Sequence, residues 1–265
     1  MRARGHPPPS KTKKHLTLVD ILLYGAVLLF ILYAVYRVND VLVYHWNWSK
    51  VLGFLVKFDE ETQSWASNLL LQGLWTTLRL ALWATVLATA FGIIMGYWRT
   101  CKNLTLRIIS RTYVELIRNM PPVVFIFIFY FFVSSQIFPA LGIEDIDTNG
   151  AFASSAMFHF MFGDPQLFSN FLAGMICLAL FEGAYITEIV RAGIQSTEKG
   201  QWEAARAIGL SPFNVLRDIV IRQAVRKILP PLTSQFISLI KDSAIISLIS
   251  IQELTFVATE VAATT

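Results

Sequence analysis

A chain of 265 residues that is 55% hydrophobic and only 15% charged departs from the roughly 25% charged residues of ordinary soluble domains. With a mean hydropathy of +0.54, burial in one protein core cannot hide the apolar side chains, so lipid must solvate many of them. These proportions describe a polytopic membrane protein and exclude a disordered chain, a disulfide scaffold and a soluble nucleic-acid binder, despite a formal charge of +4.

Five stretches approach the roughly 20 apolar residues that a helix needs to cross about 30 Å of hydrocarbon. They run from about Leu16 to Tyr36, Leu69 to Trp98, Pro121 to Phe138, Leu167 to Val190 and Ile228 to Ile249. Ahead of the first lie Arg2, Arg4, Lys11, Lys13 and Lys14. A basic start and an apolar run are also shared by signal peptides. This run is long for one, and Tyr33, Tyr36 and Arg37 stand where a cleavage site needs small residues, so a membrane helix is expected. The 37–68 connection has mixed charge, and its Trp46, Trp48 and Trp65 suit an interfacial belt.

In the second stretch Ala84, Ala88, Gly92 and Gly96 recur at spacing four. In lipid, close helix contact is reported by such small residues. The stripe serves either packing within the subunit, which is favoured, or a dimer seam. Arg79 is expected to snorkel outward from the same stretch. The third is crowded by Phe125, Phe127, Phe129, Phe131 and Phe132, and Pro121-Pro122 stand at its start, where missing N–H groups cost little.

Positive charge resists translocation and so orients the chain. Arg99, Lys102, Arg107, Arg111 and Arg118 follow the second stretch, and Arg191, Lys199, Arg206, Arg217, Arg222, Arg226 and Lys227 follow the fourth. With the basic N-terminal tail, these segments fall on one side if the spans alternate, which places the N-terminus in the cytoplasm. The opposite side agrees, because 139–166 lacks Lys and Arg but holds Glu144, Asp145, Asp147 and Asp164, and beyond Asp242 only Glu253 and Glu260 are charged. Cys101 falls in a cytoplasmic segment and Cys177 in the fourth span, so no disulfide is expected.

Ionisable groups at membrane depth are costly unless they face protein or water, which makes each a functional candidate. In the fourth stretch Glu182, Tyr185, Glu188 and Arg191 follow at spacing three and form a slanted polar band. Glu188 either pairs with Arg191 or faces a pocket. Glu182 lies deeper, as a carboxylate for an ammonium group or another span's cation, or as a structural hydrogen-bond partner. In the fifth, Lys241 and Asp242 are adjacent, do not face each other on a helix and are expected to serve different partners. A helix break there is compatible with a cavity lining.

Between the fourth and fifth stretches, Glu203 to Ile208 are good helix formers, Gly209 can take a C′ conformation, and Ser211-Pro212 prevents simple continuation. Such a short helix needs an external support. It is either a turn packed on its own bundle or a docking knob, with Ala204 and Ala205 allowing close approach and Glu203 and Arg206 as polar handles.

Glu203-Ala204-Ala205 followed by Gly209 resembles the EAA loop of the permease subunits of ABC importers. The Tyr113 to Pro121 run, the Ala184-Tyr185 to Gln195 run, Gly200-Gln201-Trp202, Ile228 to Leu232 and Lys241-Asp242-Ser243 are similar to its polar amino acid branch, over roughly 72–265. The resemblance implies an all-α polytopic transmembrane bundle of the type I importer class, with about five spans here. It divides the chain into a basic tail (1–15), an extra N-terminal helix with its periplasmic connection (16–68) and a permease domain (69–265) with a coupling helix at about 201–213. Gly200, Glu203, Ala204, Ala205 and Gly209 would meet a dimeric cytoplasmic ATPase, which binds ATP and Mg; no cofactor or metal is expected in this chain. In the bacterial inner membrane a second permease subunit, identical or paralogous, and, on the outer face, a periplasmic amino acid binding protein complete the implied assembly. Arg118, Glu182, Tyr185, Glu188, Lys241 and Asp242 are implied candidates for the path.

Two departures stand out. Family members continue past the segment matching 255–265 into one more apolar span, so a truncated product or a bundle lacking that helix is expected. Met120 and Ser243 also replace common threonines. No Gly-rich phosphate loop of the G-x4-G-K-[ST] kind is present, and a transport subunit without catalysis of its own is expected. A membrane enzyme using Glu182 and His159 is the rival class; His6, His15, His45 and His159 lack metal-ligand spacing. A channel would leave the ordered Ala-Ala knob unexplained, and transport of another small polar solute by the same architecture is the nearer alternative. The charge of Glu182 favours a neutral or cationic amino acid.

Overall fold

The computed structural model describes residues 17–41, 48–59, 63–143 and 153–264. Outside them lie the basic tail with Arg2, Arg4, Lys11, Lys13 and Lys14, the histidines His6, His15 and His45, Trp46, and Glu144, Asp145 and Asp147. Among the described residues, five helices are long and apolar enough to cross a membrane, at Leu18–Val38, Leu69–Thr100, Pro122–Ala140, Pro165–Gln195 and Pro212–Ile249. The fifth begins well before the expected Ile228. Arg217, Arg222, Arg226 and Lys227 keep its first part out of hydrocarbon, but they do not stop a helix from forming.

The chain divides into two compact units between Ser49 and Lys50. In the first, α1 (Leu18–Val41) is a 24-residue helix, opened by Asp20, which accepts the Thr17 N–H at 2.9 Å. Its apolar side chains from Leu18 to Val41 point outward, as lipid solvation requires. Helix α2 (Trp48–Gly53) straddles the division.

The second unit opens with an antiparallel hairpin that the sequence pattern does not announce, β1 (Val56–Asp59) and β2 (Ser64–Ser67), in the register Val56 to Ser67 and Phe58 to Trp65. Phe58 and Trp65 meet edge to face at 5.6 Å, a cross-strand pair of the kind that stabilises hairpins. Asn68 then caps α3 (Leu69–Thr100), its side chain accepting the Leu69 N–H and donating to Gly53 O at 2.7 Å. The segment 50–68 therefore belongs with α3.

Helix α4 (Leu104–Arg118) starts on an Asn103 cap and lies against α3, with Ser110 Oγ donating to Met95 O at 2.7 Å. The third span is α5 (Pro122–Ile128), a π-helical stretch (Phe129–Ser134) and α6 (Ser135–Ala140). After α7 (Ala156–Phe162) comes α8 (Phe168–Gln195), the most enclosed of the spans. Helix α9 (Lys199–Ala207) precedes the last long helix, which comprises α10 (Pro212–Asn214), a π-helical stretch (Val215–Ile221) and α11 (Arg222–Asp242). At Asp242 the helix tightens to 3-10 geometry over Ser243–Ile249 and ends on Ser250 in the left-handed region, so the conformation changes where the Lys-Asp pair interrupts the apolar run. Helix α12 (Leu254–Thr264) follows; Glu253 is buried at its start and accepts the Phe256 N–H at 2.8 Å.

The core is built on α3 against α8. Ala84 and Ala88 are fully buried on α3. A Cβ added at Gly92 would stand 2.6 Å from Ile186, and one at Gly96 2.7 Å from Val190. Two contacts advancing by four residues on both helices mean that the helices run parallel with their backbones nearly touching. The small-residue stripe thus faces α8 of its own chain. Gly193 repeats the device between α8 and Ile228 of α11. Gly96→Leu is expected to cost about 1–3 kcal/mol through overpacking, read as a lower thermal unfolding midpoint in detergent. Gly25→Leu on α1, where a Cβ meets nothing within 4 Å, is expected not to lower it.

Candidate functional site

Three clusters collect the charged residues of the spans. Deepest is Glu182, which is 0% exposed on α8. One of its oxygens accepts from the Gln235 side-chain amide of α11, and Asp242 on the same helix is close enough to interact with the carboxyl group. The other oxygen, Oε1, is buried and receives no donor. Gln235 carries no charge to mark it in the sequence, but its spacing reveals it. Seven residues separate it from Asp242, so both lie on one face of α11, and an amide in an apolar span is itself informative. Tyr113 of α4 closes the cluster, donating its hydroxyl to Leu180 O and packing edge to face on Phe91 at 5.2 Å.

Arg118 and Tyr185 form the second cluster. The Arg118 guanidinium lies over the Tyr185 ring, 5.2 Å from its centroid, a cation–π contact, and Phe181 flanks the same ring at 5.5 Å. Lys241 joins neither group. It is exposed, whereas its neighbour Asp242 is half-buried toward Glu182, so the two adjacent charges do face different surroundings.

The third cluster lies nearer the C-terminal end of α8. Glu188 pairs with Arg191 on its own helix, at 2.8 Å between Nε and Oε2, and with Arg99 at the end of α3. Arg191 continues to Gln195 at 2.5 Å. Arg99 was legible only as a cytoplasmic charge, because its pairing depends on the parallel register of α3 and α8. With side chains only 16% and 17% exposed, the Arg99–Glu188 pair is shielded enough to outweigh a surface ion pair.

Beyond this network, α9 ends in a left-handed turn. The Gly209 N–H donates to Arg206 O at 2.9 Å and the Leu210 N–H to Ala205 O at 3.2 Å, the paired bonds of a Schellman motif. Gly209 has φ of 82°, which glycine adopts without penalty. Ser211 and Pro212 then start α10, so the short helix ends at Ala207 and does not reach 213. Its two alanines separate in role. Ala205 is 4% exposed and turned to the bundle beside half-buried Trp202, whereas Gly200, Glu203 and Ala204 are exposed. At about 100° per residue, Ala205 lies about 200° from Glu203, which accounts for the split. Gln223 of α11 donates to Gln201 at 3.2 Å and Lys227 to Ser196 O at 2.8 Å, holding α9 and the end of α8 to α11. Ile208, 77% exposed, and Phe213 add apolar surface beside the polar handles.

His159 does not approach Glu182. It precedes α8, and Glu182 stands 14 residues into that helix, about 21 Å along its axis. Among the described residues no cluster of three His, Cys, Asp or Glu side chains could hold a metal ion, and both cysteines are free.

Residues 88–263 match the family of binding-protein-dependent transport system inner membrane components. The chain belongs to that family. This transport component is 32% identical over 212 residues to the "Glutamate/aspartate import permease protein GltJ" of Escherichia coli (strain K12), covering 79% of this chain and 77% of that protein. It is 35% identical over 182 residues to the "Probable glutamine ABC transporter permease protein GlnP" of Bacillus subtilis (strain 168), covering 69% and 71%. A solved structure entitled "Crystal structure of an amino acid ABC transporter with histidines" superposes with a TM-score of 0.56 at 29% identity, covering 74% of this chain and 78% of that one. The family and the five apolar helices make the chain a multi-pass inner membrane protein that transports rather than catalyses.

In this transport component, Arg99→Gln and Glu188→Gln are each expected to lower stability in detergent. The double variant is expected to cost less than their sum, by a coupling of about 1–3 kcal/mol, as a double-mutant cycle of unfolding free energies measures.

Proposed function

We propose that the chain is the permease subunit of an ATP-driven amino acid importer, in which α9 carries the ATPase stroke and the Glu182 cluster lines the path. The observation that carries this is the division of α9, whose Ala205 side is anchored on the bundle while Glu203 and Ala204 stay open. A short helix packed by one face on the Val215–Ile221 stretch and tied to α11 through Gln223 presents the other face to a partner as a knob, so movement of the partner moves the spans. Gly209 ends the knob, Gly200 lies in its first turn, and Ile208 and Phe213 supply apolar contact beside it.

The permease domain comprises residues 69–265 together with the segment 50–68 that packs at the start of α3, after a basic tail (1–15) and an extra N-terminal helix. The N-terminus and α9 share the cytoplasmic side, where Lys and Arg concentrate. A dimeric ATPase binding ATP and Mg docks there, a second permease subunit completes the path, and a periplasmic amino acid binding protein delivers substrate opposite.

Within the path, Glu182 accepts the substrate ammonium group, since its Oε1 is desolvated and without a donor, a state that a cation relieves. Gln235 and Asp242 position it. Arg118, stacked on Tyr185, is the nearest candidate for the carboxylate, and exposed Lys241 is a second. Glu188, saturated by Arg99 and Arg191, ties α3 to α8 rather than touching substrate. Relatives named for glutamine and for glutamate or aspartate bracket the choice, and the paired carboxyls of Glu182 and Asp242 favour a neutral or cationic amino acid.

Reconstituted with its ATPase and binding protein, the Glu203→Lys variant is expected to lose most ATP-driven uptake at unchanged membrane abundance; uptake equal to the parent would remove the coupling role. Glu182→Gln is expected to reduce uptake tenfold or more, since a hydrogen bond to a charged group contributes about 1.5–3 kcal/mol. L-lysine should be affected more than L-glutamine, as radiolabel uptake can compare.

A further inference from the structure

The first turns of α3, the segment joining α7 to α8, and α12 with the residues before it enclose a cavity of about 560 Å³ that the proposed path does not use. Its size lies within the roughly 300–1,000 Å³ of small-molecule sites. The cavity sits at the start of α8, and α9 follows the other end of that 28-residue helix, about 42 Å away at about 1.5 Å per residue.

The lining holds opposite charges and neutral amides. Arg79, Asp164 and Glu260 share it with His159, Gln72 and Asn170. Arg79 is half-buried and lines this cavity. Its Nε is sealed from solvent without a hydrogen-bond partner, and among the described residues Arg79 forms no ion pair. Gly163 makes room for it: a Cβ there would stand 3.0 Å from Nη1. A desolvated guanidinium donor without an acceptor is unfavourable until an anion meets it. Asp164, next in the chain, accepts the Gln166 N–H at 2.9 Å and brings a carboxyl group to the same cavity. A simple anion would be repelled by Asp164 and Glu260, and a simple cation by Arg79. One small molecule carrying both charges satisfies both sides.

We infer that this cavity is a second α-amino acid site, in which Arg79 binds the carboxylate and Asp164 the ammonium group before the molecule reaches Glu182. This assignment rests on amino acid transport as proposed above. Thr76 lines the same cavity and provides a reporter position. The Thr76→Cys chain is assembled with its ATPase in proteoliposomes, and its labelling by an impermeant methanethiosulfonate is timed relative to the chain without that cysteine. L-Glutamine is expected to slow labelling about fivefold at about four times its dissociation constant, as simple occupancy requires. 4-Aminobutanamide, which lacks the α-carboxylate, is expected to give no protection. Arg79→Gln is expected to abolish protection by L-glutamine, and Arg79→Lys to retain part of it, which separates carboxylate binding from a folding defect. Equal labelling with and without L-glutamine, or protection that survives in Arg79→Gln, overturns the site. L-Glutamine uptake by the same proteoliposomes, supplied with binding protein, is scored in parallel. Uptake without protection removes the second site and leaves the transport reading standing; loss of both removes both.

Discussion

The structure depends on the contact of α3 with α8. Lipid offers no hydrophobic drive for two apolar helices to associate, so they are held by dispersion at short range and by what polar groups reach across. Gly92 and Gly96 bring the α3 backbone against Ile186 and Val190, and this approach sets the register of everything that follows. Only in that register does Arg99 at the end of α3 meet Glu188, and only with the helices parallel do both end near α9. Tyr113 of α4 reaches Leu180 O, beside Gly183, where no side chain blocks it.

This packing sets the surroundings of Glu182. The residue sits on the most enclosed helix, so its carboxyl group cannot draw on water and must take its partners from α11. Gln235 supplies one donor, and Oε1 is buried without one. The carboxyl group is thus satisfied on one oxygen and sealed without a donor on the other. Glu188, six residues further along α8, has two guanidinium partners, one on each oxygen. The two glutamates look alike as residues of an apolar run and differ through what packs opposite them.

That difference marks the boundary of what could be read before the structure. The five spans, the small-residue face of α3, the short helix stopped by Gly209, and the isolation of Lys241 from Asp242 rest on composition, period and local backbone chemistry, all carried by neighbouring residues in the chain. Arg99 pairing with Glu188, Gln235 with Glu182, and Arg79 turned into a cavity depend on which helices meet and at what height, which no local pattern encodes. The hairpin at 56–67 was hidden for another reason: its strands are four residues long, too short for alternation to stand out against an interfacial segment rich in aromatics. The early start of the last long helix does not show in hydropathy, because Arg217, Arg222, Arg226 and Lys227 end its apolar part without ending the helix.

The same geometry indicates how force applied at α9 would travel. Helix α9 is tied to α11 by Gln201 and Gln223, and the end of α8 by Ser196 and Lys227, so both approach the first half of α11. Its second half carries Gln235 and Asp242, which hold Glu182. Between the halves stand Pro230 and Pro231, each lacking the N–H that would close an intrahelical bond. A helix is weakest against bending where those bonds are missing. Under the proposed coupling, a displacement of α9 would be taken up at the prolines as a change in angle between the half of α11 tied to α9 and the half that contacts Glu182. The hydrogen bond from Gln235 is the first side-chain hydrogen bond to another helix beyond that weak point, and it ends on Glu182, so such a bend would alter the surroundings of that carboxyl group.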